Sequence, residues 1–153
     1  MAVFLLSNPA FPESVKCRID AAKENSGFTR FVGGSVKINL ENGNTSFFAP
    51  LGAEPEELAV INDKTVSSFK ADRTACTFGW EKVVEQDGSL RAMDLHFESC
   101  AHHDPAKPGF GGYVRAKVGF DFTDRWGYYA EIFMTPSGPV PTDSLAFAGC
   151  SLL

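Results

Sequence analysis

Proline placement constrains this chain more than any other feature. The nine prolines stand at positions 9, 12, 50, 55, 105, 108, 136, 139 and 141, outside every segment of alternating polarity. Proline has no N–H for a β-ladder and is excluded from central strands, so these positions punctuate the fold. Between them the dominant period is two. Val15, Cys17 and Ile19 alternate with Lys16, Arg18 and Asp20, and Val36, Ile38 and Leu40 alternate with Lys37 and Asn39, the pattern of half-buried strands.

Two Asx-Gly dipeptides predict hairpins, because a tight turn needs φ > 0 at its central residues. Asn42-Gly43 as a two-residue turn pairs Glu41 with Asn44 and sets Ile38 opposite Phe47. Asp87-Gly88 pairs Gln86 with Ser89, then Trp80 with Leu95 and Phe78 with Phe97. A one-residue slip would set Trp80 against His96 and Phe78 against Glu98, which burial rejects. The same register puts Cys76 on the apolar face and Cys100 on the other, and so predicts no bond between them.

A third hairpin is expected over Tyr113–Thr135. Its inward faces are Val114, Ala116, Val118, Phe120 and Phe122 on one strand, and Tyr128, Ala130, Ile132 and Met134 on the other. The loop Thr123–Gly127 joins them. Further strands are expected at Ala2–Leu6, Phe28–Val32, Leu58–Ile61, Val66–Phe69 and Leu145–Leu152. Single helical turns are expected near Ala21–Asn25 and Pro55–Leu58. Asp104–Gly112 and Pro136–Asp143 read as long loops. Gly79, Gly119 and Gly33-Gly34 read as bulges or bends. About ten short hairpin-linked strands make an all-β, antiparallel β-sandwich or β-barrel. Residues 1–153 read as a single β domain, since 153 residues suffice for one core.

Composition narrows the function classes. Lys plus Arg is 14 against 19 for Asp plus Glu, a net charge of −5, and nucleic-acid partners are not expected of an acidic chain. The opening Met1–Leu6 lacks the basic flank of a signal peptide, and no apolar run has membrane-spanning length. The expectation is a soluble, cytoplasmic protein with no membrane partner. Cys17, Cys76, Cys100 and Cys150 form no Cys-x-x-Cys pair; two bridges would allow three connectivities, and reduced thiols are favoured. Asn44-Thr45-Ser46 is a glycosylation sequon, relevant only to a secreted chain.

Two clusters carry chemistry. All three histidines lie between His96 and His103, and along a strand His96, Glu98 and Cys100 share a face with His102 beyond. Imidazole, carboxylate and thiolate suit a divalent metal such as zinc, so His96, Glu98, Cys100, His102 and His103 are the candidate ligands of a metal-binding barrel or metal-dependent enzyme. A solvated outer strand face explains the same alternation. The second cluster is Arg125, Trp126, Tyr128 and Tyr129. It holds one of 2 Trp and two of 3 Tyr, whereas 14 Phe fit a core. A Trp at a hairpin tip can stack on a sugar or anchor a partner, and Arg125 can bind a carboxylate. Packing of Trp126 over the end of the core is the structural alternative.

The favoured reading is a non-enzymatic binding or interaction module, without a cofactor, recognising a carbohydrate, small molecule or protein through the aromatic loop. A third reading is a structural or assembly subunit, a homo-oligomer pairing through a sheet edge.

Overall fold

The computed structural model describes residues 13–50, 57–68, 72–100 and 113–153. The described residues form ten strands: β1 (Ser14–Ala22), β2 (Ser35–Asn39), β3 (Thr45–Phe48), β4 (Glu57–Ile61), β5 (Thr65–Ser68), β6 (Asp72–Val84), β7 (Leu90–Ser99), β8 (Tyr113–Asp121), β9 (Trp126–Thr135) and β10 (Gly138–Leu152). Each pairs antiparallel with its sequence neighbour, and β1 also pairs antiparallel with β10, closing a barrel. An even number of up-and-down strands is what lets the last meet the first in this sense. The sandwich alternative is thereby resolved as a barrel. The strand expected at Ala2–Leu6 and the loop Asp104–Gly112 lie outside the described residues.

The period of two supplies the core. Val15, Ile19, Val36, Ile38, Leu95 and Val118 are buried on inward faces. Phenylalanine fills the space between. Ring centroids follow one another from Phe28 to Phe31 (5.2 Å), Phe47 (5.9 Å), Phe147 (6.4 Å), Phe120 (5.8 Å) and Phe122 (6.1 Å). Phe78 and Trp80 pack against this core from β6.

The expected strand Phe28–Val32 is instead a 3-10 turn, Thr29–Phe31, in the β1–β2 connection. Residues three apart eclipse in such a turn, so Phe28 and Phe31 point together into the barrel. The helical turn expected at Ala21–Asn25 is replaced by the end of β1, where Ala21 and Ala22 pair with Ala146 and Leu145. Near Pro55–Leu58, Glu57 and Leu58 already belong to β4.

The β6–β7 pairs Trp80–Leu95 and Phe78–Phe97 hold, but the expected Gln86–Ser89 pair does not form: the Glu85 amide donates to the Ser89 carbonyl, and a shift between Val83 and Val84 restores the alignment. In the other two hairpins the strand pairs themselves depart from expectation. In the first, Asn39 and Asn42 accept amide hydrogen bonds from Glu41 and Asn44, and Gly43 takes φ +74°. These Asx contacts favour a longer loop than a two-residue turn. Ile38 therefore faces Thr45 and Val36 faces Phe47. A shift of two preserves every face, so the core is unchanged.

In the β8–β9 hairpin the shift is odd. Asp121 accepts the amides of Thr123 and Asp124, Arg125 takes φ +56°, and the strands rejoin at Asp121 and Trp126. The inward residues of β9 are Gly127 and Tyr129, not Tyr128 and Ala130. The expected loop Pro136–Asp143 is mostly strand. Pro139 and Pro141 are tolerated because, among the described residues, that stretch of β10 pairs with β9 alone, so its other side carries no ladder that their missing N–H would break.

All four cysteines are oxidised, contrary to the expected reduced thiols: Cys17 bonds Cys150, and Cys76 bonds Cys100. The second bond overturns the register argument against it. Ala75 faces Ser99 and Thr77 faces Glu98, so Cys76 is an extra residue in a bulge. The bulge turns Cys76 to the outer face, beside Cys100. The first bond joins buried sulfurs at the β1–β10 seam, where a bulge at Gly149 (φ +61°) aligns Cys150 with Cys17.

Candidate functional site on the outer face

The outer face of β9, β10, β1 and β2 gathers most of the aromatic-loop candidates. Trp126 faces Ala148, which faces Arg18, which faces Ser35. Trp126 points outward and is 46% exposed. The Tyr128 ring lies 6.2 Å from it, tilted by 30°. Tyr128 leans toward β8, where its ring covers Gly119. Partial burial, and secondarily the Asp94 carboxylate, push the Tyr128 phenol above its ordinary range.

Arg125 folds across β10 and donates Nε–H to the Cys150 carbonyl at 3.2 Å. Tyr129, the fourth candidate, is a core residue. It is 2% exposed and donates its hydroxyl to Glu131 at 2.8 Å. Successive strand residues face opposite ways, and the odd shift in the β8–β9 turn makes Tyr129 the inward one, so it does not join the exposed cluster. Trp126 does not cap the core.

The sequence reading missed the cations that share this face. Lys16 faces Lys37 directly across β1 and β2, and Lys16 also faces Ser151 of β10. Their outward direction was legible in the Val-Lys alternation of both strands; their juxtaposition was not, because it depends on register. Arg18 pairs with Asp20 at 3.2 Å, both exposed. A shallow groove of about 360 Å³ runs here, lined by Lys16, Arg18, Ser35 and Ser151 over the backbone of Gly34 and Gly149.

The metal-candidate cluster is dispersed. Cys100 is spent in its disulfide and offers no thiolate. Glu98 accepts from Arg115 Nε at 2.6 Å. His96 faces outward, and its ring lies over Gly79, its cross-strand partner. Gly79 and Gly119 thus mark ring seats rather than bulges. His102 and His103 lie outside the described residues. Among the described residues no group of three or more His, Cys, Asp or Glu side chains is placed to hold a metal.

A second concavity lies at the barrel mouth, between the β2–β3 turn and the tip of the β6–β7 hairpin. It measures about 840 Å³, and Leu40, Val84, Leu90 and Leu152 give it an apolar lining with Glu13, Glu41 and Lys82 at its walls. Lys82 Nζ donates to the Leu40 carbonyl at 3.2 Å and lies 4.6 Å from the centre of the Trp80 ring. Among the described residues no helix is long and apolar enough to cross a membrane.

No protein-family model matches the chain, and no curated protein or solved structure gives a significant match.

Proposed function

We propose that this barrel is a binding module whose ligand, a carbohydrate, lies against the outer face around Trp126. The observation that supports this reading is Trp126 itself. A large aromatic stands outward on a strand, backed by Tyr128, over a flat floor of Ala146 and Ala148. A rigid ring on a paired strand loses little entropy when a sugar face stacks on it. The scaffold beneath is fixed by the Cys17–Cys150 bond.

A glycan array probed with the wild-type protein and with Trp126→Ala tests it. The expected result is binding by the wild type that the variant loses while its thermal unfolding midpoint is unchanged. A variant that keeps all binding, or a wild type that binds no glycan, overturns the proposal.

The mouth cavity favours a second reading, a small apolar ligand. Its volume lies within the range of small-molecule sites. An environment-sensitive apolar dye should bind the wild type and be lost from Leu90→Glu. Equal dye response from both proteins would remove this reading.

A further inference from the structure

We infer that the ligand of the outer face is an acidic glycan, one bearing sulfate or carboxylate groups. This inference rests on the proposal that Trp126 contacts a carbohydrate, and it adds the charge of that carbohydrate. The chain carries 14 basic against 19 acidic residues, so its overall charge does not account for a basic groove. Yet among the described residues the charged side chains lining the 360 Å³ groove are Lys16 and Arg18, the latter paired with Asp20.

The arrangement costs stability. Like charges directly opposite in an antiparallel pair repel, and Lys16 faces Lys37 in this way. Among the described residues neither lysine has a carboxylate within ion-pair distance, whereas Arg18 has Asp20 and Arg115 has Glu98. Arg125 extends the row on the other side of β10, with its guanidinium held beside Cys150, the neighbour of Ser151. The cations therefore run across the strands from Arg125 past Ser151 to Lys16 and Lys37, with Arg18 beside them.

Trp126 lies two strands from Arg18, a backbone separation of about 10 Å at ordinary strand spacing. A sugar stacked on the indole can thus present a charged substituent to the cation row, and the Ser35 and Ser151 hydroxyls can donate to it. Among the described residues, the carboxylates on this side are placed as follows. Asp20 is held by Arg18, and Asp121 by the amides of its own turn; Asp124 lies exposed on that turn. A sulfate is a fixed anion that needs no proton balance, and Lys and Arg bind it as charged donors.

The test uses the intact, oxidised protein and three probes: a heparin fragment, the same fragment after chemical desulfation and N-acetylation, and a single-stranded oligonucleotide of matched charge. The heparin fragment should bind, more weakly as salt rises. Lys16→Glu and Lys37→Glu should each weaken it roughly tenfold, the loss of one charged contact. Trp126→Ala should weaken it as well, with all three variants keeping the wild-type unfolding midpoint to within a few degrees or rising where the lysine repulsion is relieved. Equal affinity for the desulfated fragment overturns the acidic class. If that binding still needs Trp126, the carbohydrate reading survives alone. Oligonucleotide binding as tight as heparin binding, or charge reversals without effect, overturns the inference. Loss on charge reversal with no effect of Trp126→Ala overturns the reading beneath it.

Discussion

Gly119 and Tyr128 face each other across β8 and β9, and one step along the same ladder Phe120 faces Gly127. The two pairs are reciprocal: each strand contributes one glycine and one aromatic ring. On the outer face the Tyr128 ring covers Gly119, and on the inner face the Phe120 ring covers Gly127. Glycine weakens a strand interior, and an opposing ring that takes up its empty side restores packing. The ladder keeps its register through both pairs.

Substitution at either glycine should therefore act through the ring opposite. A Cβ on Gly127 would lie 2.7 Å from the Gly119 carbonyl oxygen and 2.7 Å from Phe120 Cδ1, with the ring confined by the core. Gly127→Ala should destabilise by about 2–3 kcal/mol in urea unfolding, within the range for overpacking. Gly119→Ala should cost less, because Tyr128 can swing into solvent. Combining Gly119→Ala with Tyr128→Ala should give less than the sum of the single effects. Strict additivity would mean that the ring is not what the new methyl meets.

The two disulfides should differ in their contribution. Cys17–Cys150 closes a sequence separation of 133, and Cys76–Cys100 one of 24. Chain entropy alone makes the longer bridge worth roughly 1–2 kcal/mol more. Paired Ser variants compared by urea unfolding should rank in that order. Two equal losses would show that native-state effects outweigh loop closure here.

Removing the Tyr129 hydroxyl should cost about 1–2 kcal/mol, the value of a partly buried hydrogen bond to a carboxylate. Its ring packs on Phe28 and Phe47, so Tyr129→Phe retains the core contacts while Glu131 loses a donor. Unfolding midpoints read this directly, and an unchanged midpoint would place the Glu131 carboxylate in water.

Tyr128 should ionise later than free tyrosine. Burial raises its phenol, and Asp94 adds to that. A group with a raised folded pKa contributes stability that is complete below the unfolded value. That contribution fades as pH rises through the folded value, which here lies above the ordinary value near 10. Ultraviolet titration should show a late-ionising component that Tyr128→Phe abolishes. A titration unaltered by the substitution would count against this environment.

The periodicity of two made the β class, the Phe-built core and the β6–β7 register legible in the sequence. What it could not carry was loop length. Backbone conformation at Arg125 and Asx contacts at Asn39, Asn42 and Asp121 set where strands rejoin. An even change in that count left the β2–β3 core intact, while an odd one exchanged Tyr128 for Tyr129 on the inner face. One bulged residue likewise turned Cys76 toward Cys100 and removed the thiolate from the metal candidates. The cation row was hidden for a different reason: Lys16 and Lys37 meet only through β1–β2 pairing.

The Cys17–Cys150 bond sits where the first strand meets the last. A ring of strands is self-contained only while that seam holds. Reductants would remove only the covalent tie and leave the β1–β10 ladder from Val15–Leu152 to Ala22–Leu145; were that ladder to part as well, β1 and β10 would become bare margins with unpaired amides and carbonyls. Oxidation at the seam therefore fastens the closure of the ring itself: it commits the margin of the first strand to that of the last.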